Sequence, residues 1–163
     1  MLDVIKEKVN LVEKSDEYKK WLVNNKDSYL CSVFCLDDKE NNWQIDYYNS
    51  KTKLITNFFL QNNVIVVNTD KVFSKSPKKV NELHLDKVKI DLDKVIDIIN
   101  ELVKDKYNGE EPHKTIVILQ HLSELLWNIT IIMSSFNILN VKVNAISGEI
   151  IEENMGSVFR VGS

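Results

Sequence analysis

Four runs of β-forming residues stand between positions 28 and 68, separated only by short polar stretches. They are SYLCSVFCL at 28–36, WQIDYY at 43–48, LITNFFL at 54–60 and VIVVN at 64–68. The first is rich in aromatic and β-branched residues, which suit a pleated, half-buried surface. The second alternates, with Trp43, Ile45 and Tyr47 on one side and Gln44 and Asp46 on the other. Parallel strands need long crossovers, so strands joined by DDKENN, NSKTK and Gln61–Asn63 must pair as an antiparallel meander.

A helix precedes this meander. Ile5, Val9 and Val12 recur at helical spacing over residues 2–24, with Ser15 as the N-cap of a restart and Tyr18, Trp21 and Leu22 on one face. Asn24-Asn25 ends it. A second helix opens at Asp91, a good N-cap, and carries Leu92, Val95, Ile98, Ile99 and Leu102 on one face. Lys104 and Lys106 suit its C-terminal dipole, and Asn108-Gly109 and Pro112 stop it. Strands are then expected at 115–122, 125–133 and 138–145, the last alternating Leu139, Val141, Val143 and Ala145 with Asn140, Lys142 and Asn144. After a turn at Ile146–Glu149, Ile150-Ile151 continues briefly, and the last ten residues, with weak signals, are expected to fray.

The expected class is α+β, with one or more antiparallel sheets packed against helices in a single compact domain. Residues 1–68 and 91–152 form two halves of like order, helix then meander, joined by a linker at 69–90 that contains Pro77. Trp43-Gln-Ile and Trp127-Asn-Ile sit at corresponding places. Duplication would let two small sheets join edge to edge or pack together; the alternative is the order common to any α+β chain. At 163 residues, folding buries about 70% of the unfolded surface, so no disulfide or metal staple is required.

Composition removes several function classes. The net charge of −3 is not a nucleic-acid signature. The apolar stretch 125–139 is too short and too polar to span a bilayer. The opening MLDVIKEKVN has no apolar secretory core, so the expected compartment is the cytosol. Cys31 and Cys35 lie four apart, about 13 Å along a strand. They cannot pair with each other there and are expected as buried free thiols.

The segment Trp127-Asn-Ile-Thr-Ile, followed by Val141-Lys-Val-Asn-Ala145-Ile-Ser147-Gly148-Glu149, resembles PepSY-type repeats: a helix, an aromatic-bearing strand, and a strand ending in a small residue before a tight turn. The resemblance covers roughly residues 90–152. The whole chain is also similar to uncharacterised archaeal proteins in which this half follows a related meander. The resemblance implies an antiparallel sheet on a helix, and a role in binding or restraining a protein partner. The residues explain the motif's form without any chemistry: Gly148 supplies positive φ in the turn, and Ala145 allows a close approach.

No catalytic constellation stands out. Of the three histidines, His84, His113 and His121, the last two flank one strand about 26 Å apart, and no Cys or carboxylate stands at zinc-ligand spacing with them, so no metal site is expected. No Gly-rich phosphate loop exists, and no cofactor is expected. The acidic pairs Asp37-Asp38, Glu110-Glu111 and Glu152-Glu153 read as solubilising turn or terminal charges. Lys71, Phe73, Lys75, Lys78 and Lys79 form the best nucleic-acid candidate, but without arginine a solvated linker is favoured. The expectation is a non-catalytic interaction protein, partnered by a second copy or by another protein. The alternative is a small-molecule site between the halves, with Trp127, His121 and Tyr47 as its candidate residues.

Overall fold

The computed structural model describes residues 2–36, 42–62, 64–71 and 79–160. Helix α1 spans Leu2–Lys14 and α2 spans Asp16–Val23. The break falls at Ser15, whose Oγ accepts from the Tyr18 amide at 3.1 Å while donating to the Val12 carbonyl at 2.6 Å. One serine thus serves a carbonyl of the helix behind and an amide of the helix ahead. Helix α3, Leu92–Lys106, is capped by Asp91, which accepts from the Lys94 amide at 2.9 Å.

The strands are β1 (Ser28–Leu36), β2 (Trp43–Asn49), β3 (Leu54–Gln61), β4 (Val64–Lys71), β5 (Pro112–His121), β6 (Leu125–Met133), β7 (Asn137–Asn144) and β8 (Ile150–Ser157). They form one antiparallel sheet in the order β4-β3-β2-β1-β5-β6-β7-β8. Each half is a four-strand meander, and the first strands of the two meanders pair edge to edge at the centre.

The register relates the halves further. Cys35 lies opposite Trp43 and Val33 opposite Ile45, as Leu119 lies opposite Trp127 and Val117 opposite Ile129. Across the central seam Val33 meets Leu119, Phe34 meets Ile118 and Cys35 meets Val117. Exchanging the halves therefore maps the seam onto itself, with Phe34 and Ile118 at its pivot.

The three described α-helices lie on one face. Ile5, Val9 and Val12 from α1 and Leu92, Val95, Ile99 and Val103 from α3 join Val33, Ile45, Phe58, Leu119, Trp127, Ile129 and Val141 of the sheet in one core. Residues 79–91 of the connection between the halves cross this same face. Leu83 N donates to Leu30 O at 2.8 Å, the Asn81 amide side chain donates to Leu122 O at 2.6 Å, and Lys89 N and Ile90 N both donate to Ala145 O at 2.9 Å.

Two expectations change. The linker is shorter than 69–90: residues up to Lys71 extend β4, and residues 79–91 are an anchored strap with a 3₁₀ turn at Leu85–Lys87. The expected fraying of the last ten residues is also not seen over 154–160, which complete β8 and add a 3₁₀ turn at Val158–Arg160, while 161–163 lie outside the described residues. Ile150–Ser157 pairs along β7, from Val143 with Ile150 to Asn137 with Ser157. An edge strand exposed on most of its length needs no apolar alternation, so its sequence carries little strand signal. Glu152 and Glu153 accordingly sit in a strand, not at an end: Lys142 donates to Glu152 at 2.7 Å, and Lys106 and Tyr107 of the α3 end both donate to Glu153. Those two donors, Lys106 first, hold the Glu153 carboxyl below its ordinary pKa.

Candidate functional site

An antiparallel sheet with helices on one side usually alternates apolar and polar residues along each strand. Strands β2 and β7 do so: Trp43, Ile45 and Tyr47 face the core while Gln44 and Asp46 face away, and Leu139, Val141 and Val143 oppose Asn140 and Lys142. The two central strands do not. Val33 and Cys35 of β1 face the core, yet the intervening Phe34 and Leu36 are also apolar. Val117 and Leu119 of β5 face the core, yet Ile116 and Ile118 beside them are apolar too. Register brings these four together, Phe34 opposite Ile118 and Leu36 opposite Ile116. They form a half-buried apolar patch at the middle of the opposite face, which carries no α-helix among the described residues, and none belongs to the core.

Polar networks flank the patch. Asp46 on β2 is buried, at 8% exposure, although it points away from the helices. Its carboxylate accepts from Ser32 Oγ at 2.6 Å, Gln44 Nε2 at 2.8 Å and Asn57 Nδ2 at 2.7 Å. Across the seam, the Asn140 side-chain amide on β7 donates to Asn128 Oδ1 at 2.7 Å and Thr130 Oγ1 at 2.9 Å on β6. Asp46 pairs with Asn57 as Thr130 pairs with Asn140, so the two networks hold corresponding positions of the two halves. These side chains satisfy one another before anything else touches them, so covering them leaves few new unpaired groups.

The residues singled out from sequence do not converge. Trp127 is fully buried in the core, and its indole N–H donates to Ile90 O at 2.8 Å. Tyr47 is 2% exposed, with its hydroxyl donating to Glu13 at 3.0 Å. His121 ends β5, its Nδ1 3.2 Å from Glu82 O on the strap. A pocket lined by all three is therefore not formed, because two of them are packed into the core. Tyr47 does border an open cleft of about 450 Å³ between α1 and the strap, with Glu13, Tyr18, Ser28, Glu82 and His84. Burial foremost, then the nearby Glu13 charge, raises the Tyr47 and Tyr18 hydroxyls above their ordinary pKa. Such phenols stay protonated and are poor bases.

Both cysteines are buried thiols. Burial, then the Asp46 charge, pushes the Cys31 thiol up to about 12, far from a reactive thiolate. Among the described residues no group of His, Cys, Asp and Glu could hold a metal ion. Among them, too, no helix is long and apolar enough to cross a membrane. The lysine-rich candidate at 71–79 falls largely on 72–78, outside the described residues, as does Asp37-Asp38.

The apolar patch is the feature that inspection of single residues missed. Its signal was present in the runs VFCL and IVIL, which break the alternation seen in WQID and NVKV.

No family model and no curated protein matches the chain. Among solved structures, a provisionally assigned lipoprotein from Clostridium difficile 630 is similar at 14% identity, over 90% of this chain and 98% of that one, with a TM-score of 0.48.

Proposed function

We propose that this chain is a non-catalytic protein-binding module whose binding surface is the helix-free face of its sheet. One observation carries the reading: the paired stretches of β1 and β5 are apolar on both sides, whereas Trp43–Tyr47 of β2 and Leu139–Val143 of β7 alternate. Strands with that pattern are typical of sheets covered on both faces. The flanking networks support it, because a carboxylate already held by three donors tolerates loss of water. The PepSY-like stretch, which lies on β6, β7 and the following turn, points in the same direction through what the resemblance implies. Repetition of the meander and of the Asp46–Asn57 and Thr130–Asn140 positions supports origin by duplication, with the first pair of edges becoming the seam.

The test uses the whole chain as bait, with Phe34→Asp and Ile118→Asp as variants checked for native circular dichroism. Wild type is expected to retain a protein, its own differently tagged copy or another, that both folded variants lose. Identical capture by all three baits, or capture of nothing by wild type, overturns the reading.

A further inference from the structure

We infer that the occupant of the helix-free face is a second copy of this chain, stacked sheet on sheet; this rests on that face being the binding surface. The first support is charge. The protein is 28% charged, but the outward positions of the inner strands carry few charges: Asp46, Lys114 and Lys142. Asp46 is held by its three donors and Lys142 by Glu152, which leaves Lys114 near the rim. A partner selected by charge would find little field to read, and a copy would meet little like-charge repulsion. The helical side has the opposite character, with Lys6, Glu7 and Lys8 consecutive on α1.

Area gives the second support. The six inner strands, spaced about 4.8 Å apart and each of about eight residues rising about 3.4 Å, present a face of roughly 800 Å². A stable pair of standard size takes about 800 Å² from each partner. Symmetry gives the third. The pivot at Phe34 and Ile118 lies within the apolar patch, so a copy centred there places patch on patch and sets a polar network against a polar network in either in-plane orientation. Stacked sheets lie about 10 Å apart with strands crossing at about 30°, so apolar residues from both faces interdigitate. The resulting layers run helix, sheet, sheet, helix.

Sedimentation velocity from about 1 µM to about 100 µM reads the outcome. Wild type is expected at twice the 18.9 kDa chain mass. Phe34→Asp places an unpaired carboxylate in the interface and is expected to weaken the pair about 100-fold or more. Gln120→Lys adds a charge on the same face without removing an apolar group, so it serves if Phe34→Asp does not fold. Val23→Asp, at a site 65% exposed on α2, is expected to leave the mass unchanged. A wild-type monomer throughout the range sinks the second copy, as does a dimer that folded Phe34→Asp and Gln120→Lys both leave intact. Bait capture separates the two levels. A monomer that still holds another protein through Phe34 overturns only the identity of the occupant, whereas one that holds nothing overturns the binding face as well.

Discussion

The two halves share a backbone plan but fill it with different chemistry. In the first, Tyr18 and Trp21 of α2 meet Tyr47 and Phe58 of the sheet, with ring centroids 5.1 to 5.7 Å apart. In the second, α3 brings Val95, Ile99 and Val103 to a sheet of Ile129, Ile131, Leu139 and Val141. The tryptophans at corresponding positions differ as well. Trp127 donates its indole N–H to Ile90 O at 2.8 Å, whereas the buried Trp43 indole nitrogen finds no partner among the described residues. The helix-side core thus accepts rings or branched aliphatics, provided that strand period and register are kept. On the other face the halves agree, because each network must close its own hydrogen bonds.

The largest effect that could break this comparison is at the paired tryptophans. Trp127→Ala should cost about 3–5 kcal/mol in urea unfolding. Because β1 and β5 join the halves, the variant should still unfold in one transition. A split into two transitions would show that the halves are independent units. Trp127→Phe should cost more than Trp43→Phe, since only the former strands a carbonyl.

Rising alkaline pH should act on the first half first. The Cys31 thiol titrates near 12 in the folded chain and near 9 when exposed, so its contribution is complete below pH 9 and is lost as pH rises towards 12. Tyr18 and Tyr47, raised in the same direction, add to the loss above pH 10. The thiol's share of that loss should be about 2 kcal/mol between pH 8.5 and 10.5. Cys31→Ala should flatten the early part of that decline, and an unchanged slope would remove the thiol as its cause.

The smallest effect sharpens the agreement on the outer face. Asp46→Asn replaces the charged acceptor of Gln44 Nε2 and Asn57 Nδ2 by a neutral one and should cost about 1–3 kcal/mol, while Thr130→Val should cost about 0.5–1.5 kcal/mol. Equal costs would mean that the three donors around Asp46 add nothing beyond a neutral network.

Much of this plan was readable from local residues. The Ser15 and Asp91 caps, the alternation around Trp43 and Val141, and the turn at Gly148, with its φ of 80°, are all signals within a few positions. What local reading missed depends on distance or on exposure. The patch exists only once Phe34 is placed against Ile118, and no local pattern reports that register. Strand β8 is an edge, so its pairing is carried by backbone and by Glu152 and Glu153, not by an apolar stripe. Trp127 and Tyr47 looked like candidate ligand contacts because large aromatics serve both cores and interfaces, and burial alone decides between those uses.

The seam between β1 and β5 also sets a schedule. Every other strand pair closes between neighbours in sequence, but β1 must wait for β5 to be made. At about 5–20 residues per second, the ribosome leaves one edge of the first meander open for several seconds. During that interval its bare backbone groups and apolar side chains are available to any strand that arrives. The step that completes the sheet is then a long loop closure and should be the slowest in folding. Any shielding this chain needs as it is synthesised would be needed in that window.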